Sequence, residues 1–225
     1  MTSHCVGLMV PINNTTMEKE LPGWLPPGSR CETRKIPRGK GLLTRETIPA
    51  YKAQALDVAQ SLKGQPIEVL AYGCTAASFL SGPEEDAALS EQLSHIVGKP
   101  VVTTAHAMVL SLQALKAQRI ALVTPYLDEV NDQLKLYLAK SGLQVSAFDT
   151  LRAADVHALG QITSGQVAGM ARQVMRDDCD AMFIACSQLP TQDILQSLSH
   201  EFGRPVLSSI QATAWRVSQL LDKES

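Results

Sequence analysis

The chain has 225 residues, of which 45% are hydrophobic and 19% charged, and carries a formal net charge of −2. That balance suits a globular protein with a substantial core, built as one large domain or two small ones, and argues against nucleic acid or an anionic membrane as the main partner. No apolar run reaches the length of a membrane span and no basic, apolar leader opens the chain, so a cytoplasmic location is expected. Five cysteines (Cys5, Cys31, Cys74, Cys179 and Cys186), with no C-x-x-C pair and no zinc-like spacing with histidine, argue against a disulfide scaffold and a structural metal.

Taken in order, Val6–Val10 is a short apolar strand closed by Pro11, and Ile12-Asn13-Asn14-Thr15-Thr16 offers amides and hydroxyls that can cap a helix carrying Glu18 in its first turn. From Pro22 to Gly41 the composition turns to Pro, Gly, Arg and Lys, with Cys31–Arg34 as a short strand between loops; this segment is expected to be a mobile flap. Ile48–Lys63 has helical spacing, and Glu68-Val69-Leu70-Ala71-Tyr72-Gly73-Cys74-Thr75 is an apolar strand that ends in a cysteine and a hydroxyl. A helix restarts after Ser81-Gly82-Pro83 and stops at Gly98-Lys99-Pro100. Strand 101–104, helix 105–116, strand 119–123 and helix 127–140 follow, then a strand over 143–148 and a stretch from 151 to 165 read as loop with a helical piece. Beyond a helix over 166–176, Asp180-Ala181-Met182-Phe183-Ile184-Ala185-Cys186-Ser187 repeats the strand-cysteine-hydroxyl pattern. Helix 191–200, strand 206–209 and a closing helix from Ile210 complete an alternation that predicts α/β architecture with parallel sheets.

The halves match one another. Gly7–Pro11 aligns with Ala121–Pro125 at a shift of 114, Cys74 with Cys186 at 112, and Gly98–Val102 with Gly203–Leu207 at 105. Three landmarks in one order predict two similar Rossmann-like lobes related by a pseudo-twofold axis, over residues 1–115 and 116–225, with the closing helix 210–225 a candidate to pack on the first lobe. Each cysteine loop would lie at the carboxyl ends of its strands, placing Cys74 and Cys186 on opposite sides of one cleft. Cys5, Cys31 and Cys179 have no such equivalence and read as packing residues, and the five histidines share no placement in the repeat.

Two facing thiols permit two routes on a small acid. One takes a proton from one face and returns it to the other; the other adds a thiolate to an activated double bond, lets the resulting single bond rotate, and expels the thiolate. Both pass through a carbanion or enediolate beside a carboxylate, and neither needs a cofactor. Hydrogen-bond donors must then meet the growing charge. The candidates are Asn13 and Asn14, Thr75 and Ala76 after Cys74, Tyr126 at the repeat equivalent of Ile12, and Ser187 and Gln188 after Cys186.

These residues resemble the cofactor-independent aspartate/glutamate racemase superfamily, within it the branch of maleate isomerases and arylmalonate decarboxylases. Val10–Glu18 and Ala185–Pro190 look like the isomerases, while Gly73–Phe79 and Tyr126–Asn131 look closer to the decarboxylases. The resemblance implies a nucleophilic role for Cys74, a proton-handling role for Cys186, and carboxylate binding by Asn14 and Tyr126. The decarboxylases have glycine in place of the first cysteine, so the pair of thiols points away from simple decarboxylation. The isomerases carry a further asparagine between the tyrosine and the second cysteine, where this chain has Asp155 and His157. The expected function is cis-trans isomerisation of a maleate-like dicarboxylate, with amino-acid or hydantoin racemisation, malonate decarboxylation and non-catalytic carboxylate binding as alternatives. A homo-oligomer is compatible with the sequence.

Overall fold

The computed structural model describes residues 3–39 and 41–222; Lys40 within the expected flap, and residues 1–2 and 223–225 at the ends of the expected lobes, lie outside them. The elements are β1 (Cys5–Pro11), α1 (Met17–Trp24), β2 (Arg30–Ile36), α2 (Ile48–Gln60), β3 (Val69–Tyr72), α3 (Thr75–Phe79), α4 (Pro83–Val97), β4 (Val101–Thr103) and α5 (Thr104–Ala114). They continue with β5 (Arg119–Thr124), α6 (Asp128–Lys140), β6 (Gln144–Thr150), α7 (Val156–Gly160), α8 (Ser164–Val174), β7 (Ala181–Ile184), α9 (Leu195–Phe202), β8 (Val206–Ser208) and α10 (Ser209–Leu221).

The strands form two parallel four-stranded sheets, ordered β2-β1-β3-β4 and β6-β5-β7-β8. Strands covered by helices on both faces must be apolar along their whole length, which is how β1, β3 and β7 read. Every residue of those three strands is buried. The expected flap is corrected in part: residues 30–36 are an edge strand paired with β1, with half-buried charged side chains, and the irregular segment is the shorter one over residues 37–39 and 41–47.

The repeat extends to register. Met9 stands opposite Tyr72 as Val123 stands opposite Ile184, and Leu70 opposite Val101 as Met182 stands opposite Val206. Local devices recur as well. Glu68 accepts the Cys5 N–H at 2.8 Å and Asp180 accepts the Arg119 N–H at 2.8 Å, each carboxylate tying the start of one strand to its neighbour. Gly98 and Gly203, at φ of 69° and 60°, supply the left-handed residue that ends α4 and α9. Thr103 and Ser208 then cap α5 and α10 by accepting the His106 and Gln211 N–H groups. The halves differ at the edge: a bulge after Ile120 interrupts the pairing of β5 with β6, whereas β1 and β2 pair without a break.

The two sheets are joined through helices. α10 packs on α5 and α1 and against β3 and β4 of the first sheet. The buried Glu20 of α1 reaches the turn before α9, where its carboxylate accepts the Thr191 N–H at 3.0 Å, the Gln192 N–H at 3.1 Å and the Thr191 hydroxyl at 3.3 Å. Removing it leaves buried donors without an acceptor. Glu20→Ala is expected to lower stability by about 2 kcal/mol or more in urea denaturation; a change under about 0.5 kcal/mol would show that this contact does not hold the halves together.

Candidate active site

Both cysteines sit where a central strand gives way to a loop. Cys74 follows β3, with extended backbone (φ −125°), and precedes the short helix α3. Cys186 follows β7 at φ 137°, a left-sided conformation that costs a non-glycine residue roughly 1–3 kcal/mol and tends to mark functional loops. Gly73 beside the first thiol is required by packing, since a Cβ there would lie 2.6 Å from Met17 Sδ and 2.8 Å from a Val10 methyl.

The two loops close on one cavity of about 50 Å³. All nine residues singled out in the sequence line it: Asn13, Asn14, Cys74, Thr75, Ala76, Tyr126, Cys186, Ser187 and Gln188. The rest of the wall is mostly apolar, including Leu42, Leu43, Leu127, Val130 and Leu159. No other cysteine and no histidine lines this wall. Cys5 and Cys179 are buried elsewhere, four of the histidines are exposed, and His4 is tied to Glu68 at 2.8 Å.

Several of the polar residues are committed to holding the two loops together. The Ser187 hydroxyl donates to the Gly73 carbonyl at 2.8 Å and accepts from Asn14 Nδ2 at 3.0 Å. The Asn14 side-chain Oδ1 accepts the N–H groups of Thr16 and Met17, the capping role its position predicts. Gln188 Oε1 accepts the Thr15 N–H at 3.0 Å. Thr75 donates to the Ser209 hydroxyl at 3.2 Å, and Ser209 in turn accepts the Cys186 N–H at 3.0 Å. Other polar atoms are unspent: Asn13 Oδ1, Tyr126 Oη and Arg38 Nε are buried without a hydrogen-bond partner. Unpaired buried polar atoms converging on a cavity are what a polar ligand would satisfy.

Burial pushes both thiols up. For Cys74 the Ala77 N–H, the Tyr51 hydroxyl and the Arg38 charge pull the other way. Cys186 rises to about 11, against the pull of the Gln188 N–H and the Tyr126 hydroxyl, with Cys74 itself adding to the rise. The two sulfurs are therefore close enough to feel one another's charge, and in the ligand-free site both are neutral thiols at pH 7. Tyr126 lies between them in this sense, its ring edge-on to Phe79 at 5.6 Å and its hydroxyl neighbouring Cys186, Cys74 and Thr75.

Five contributors escaped the sequence reading. Arg38 and Leu42–Leu43 come from the Pro37–Thr47 loop, Tyr51 from α2, and Ser209 from the start of α10. Only Ser209 had a signal, because the shift of 105 sets it opposite Thr104, a second hydroxyl opening a helix after a strand. Around the position of the isomerases' additional asparagine, Ala153 and Leu159 face the cavity, while Asp155 and His157 are exposed and Asp155 caps α7.

A two-lobed α/β fold with a thiol from each lobe in a shared, mostly apolar cavity defines a class of cofactor-independent enzymes working on small acids. The arylmalonate decarboxylase family model matches residues 6–225, and the chain belongs to that family. The maleate isomerase of Nocardia farcinica (strain IFM 10152) is 33% identical, covering 96% of this chain and 90% of that protein. Among solved structures, the N. farcinica maleate cis-trans isomerase with a covalently bound succinylcysteine intermediate matches with a TM-score of 0.91 and 29% identity, over 98% of this chain and 94% of that one. The maleate isomerase Iso of Pseudomonas putida S16 with maleate matches at 0.89 and 25%, over 98% and 93%. The resemblance drawn from the residues and the two-lobed fold are both borne out. Among the described residues no helix is long and apolar enough to cross a membrane.

With both thiols raised, alkylation at Cys186 by iodoacetamide should rise about tenfold per pH unit between pH 7 and pH 10 as the thiolate fraction grows. Peptide mass spectrometry of the labelled protein measures this site by site. A plateau below pH 8 would mean a thiolate already present at neutrality.

Proposed function

We propose that the chain is a cofactor-independent cis-trans isomerase of a maleate-like dicarboxylate, with Cys74 as nucleophile and Cys186 as acid and base. The observation that carries this reading is the pair of repeat-equivalent thiols lining one small cavity, where the unpaired Tyr126 hydroxyl and Arg38 Nε–H are donors that suit a carboxylate. A lone second thiol suffices to protonate a carbanion, so the presence of the first favours addition over decarboxylation.

The chemistry follows from the residues. The Cys74 thiol passes its proton to solvent and its sulfur adds to one alkene carbon, and the alkene electron pair moves toward the carboxylate on the other carbon as an enediolate. The Cys186 thiol, neutral before reaction, delivers a proton to that carbon, giving a succinyl thioether of the kind seen in the N. farcinica relative. The bond between the two carbons is now single and rotates. Cys186 as thiolate removes the proton again, the double bond re-forms in the trans geometry, and the C–S bond breaks to release the Cys74 thiolate, which regains its proton from solvent. Asn13, Tyr126 and the N–H groups of Thr75 and Ala76 at the start of α3 receive carboxylate oxygens as charge grows. Asn14, Ser187 and Gln188 border the substrate while fixing the loops. In this reading the lobes divide near residue 115, and α10 belongs functionally to the first lobe as a clamp on the second cysteine loop through Ser209.

Proton NMR in deuterated water, with maleate, L-aspartate, L-glutamate, a hydantoin and phenylmalonate offered separately, separates the branches of chemistry. The expected result is a fumarate signal from maleate, with turnover falling at least ~10²-fold in Cys74→Ala and in Cys186→Ala. Full turnover in both variants would end the thiol mechanism, and deuterium exchange at Cα of an amino acid would move the assignment to racemisation.

A further inference from the structure

The Pro37–Thr47 loop brings one charged side chain into a wall otherwise made of neutral groups. Among the described residues lining the cavity, Arg38 is the sole cation and there is no carboxylate. One nitrogen of its guanidinium donates to the Gly41 carbonyl, which folds the loop back on itself, while Nε is buried and has no partner. No salt bridge engages Arg38 among the described residues. Its charge bears on the Cys74 sulfur and on the Tyr51 hydroxyl, so the guanidinium stands on the Cys74 side of the site.

A dianion entering a cavity lined by Pro11, Leu42, Leu43 and Leu159 loses its hydration shell, and burying a second negative charge beside a reacting thiolate is costly without a compensating cation. The side chains of Ala153 and Leu159, which also line the cavity, offer no hydrogen bond to a carboxylate. An arginine with an unspent Nε–H is suited to that charge, since its planar donor fork matches a carboxylate.

We infer that Arg38 is the substrate-binding residue that selects a dicarboxylate over a monocarboxylate, receiving the carboxylate on the Cys74 side of the cavity. The inference rests on the isomerase reading for its substrate, but not for its charge logic. The carboxylate group and the guanidinium form a charge-assisted hydrogen bond through Nε; the loop from Pro37 to Thr47 is then the specificity segment, and its Leu42 and Leu43 close over the carbon skeleton.

The test compares wild type, Arg38→Met and Arg38→Lys on maleate and on maleamate, its monoamide of nearly the same shape. Arg38→Met is expected to raise the maleate KM about tenfold or more and to cut the maleate-over-maleamate preference in kcat/KM by at least about tenfold. Arg38→Lys, which keeps the charge and loses the planar fork, should retain more of that preference than Arg38→Met. A preference unchanged within about twofold in Arg38→Met would overturn the inference, because a merely structural loop contact would weaken both substrates alike. If wild type turns over neither compound the isomerase reading fails, and succinate binding by calorimetry then decides the inference alone. Binding at least about tenfold weaker in Arg38→Met supports it, whereas equal binding, or no binding by wild type, overturns it.

Discussion

The Ser187 hydroxyl is the contact on which the site depends. It donates to the carbonyl of Gly73, the residue before the first cysteine, while accepting from Asn14 in the first loop. One oxygen thus binds the loop of the second thiol to two loops of the other half, and it does so deep in the protein, where water does not compete. Thr75 and Ser209 make the reciprocal link, reaching from the loop of the first thiol to the N–H of Cys186. Without these bonds the two sheets would share helices but not a reaction centre. The strained backbone at Cys186 is held by the same network, so its conformational cost is offset by contacts that also aim the sulfur.

Duplication explains why so much of this could be read in the chain. Shifts of 114, 112 and 105 between the halves are also the offsets that carry the strand register of the first sheet onto the second. Continuous apolar runs such as Val69–Tyr72 and Ala181–Ile184 mark strands buried on both faces, and the residue after such a strand in an open α/β sheet faces the ligand side. Loop chemistry after the strands was therefore legible at Asn13, Asn14, Thr75, Tyr126, Ser187 and Gln188, all of which line the cavity. Their division of labour was not. Ser187 and Gln188 spend their side chains across the interface, which depends on contacts with Asn14 and Thr15, residues 173 positions away. Arg38 was hidden for a related reason: its segment has turn composition without periodicity, and nothing local distinguishes a cation that folds inward from one that faces solvent. Within Pro22–Gly41 the short strand read at Cys31–Arg34 is present and longer, spanning residues 30–36, because the polar residues toward the ends of β2 have the composition of a loop.

The electrostatic character of the cavity follows from its apolar lining and the burial of its thiols. Two sulfurs, several hydroxyls and one guanidinium lie among proline, leucine and valine side chains. Thiols in such surroundings stay protonated, which suits the proton-donor role proposed for Cys186, while the attack proposed for Cys74 requires it to lose its own proton first. A backbone N–H and a tyrosine hydroxyl favour the thiolate form at each cysteine, from Ala77 and Tyr51 at Cys74 and from Gln188 and Tyr126 at Cys186; Arg38 adds to this at Cys74, whereas the neighbouring Cys74 charge opposes ionisation of Cys186. Equivalent positions in a duplicated fold have thus acquired unequal surroundings, and the inequality matches a nucleophile on one side and an acid on the other.

Intact-protein and peptide mass spectrometry of Cys186→Ser incubated with maleate tests that division most directly. With proton handling impaired and the nucleophile retained, the account predicts that a substrate adduct accumulates on the peptide bearing Cys74 and is absent from the Cys74→Ala, Cys186→Ser double variant. An adduct on any other cysteine, or none while the variant still isomerises maleate at the wild-type rate, would contradict it.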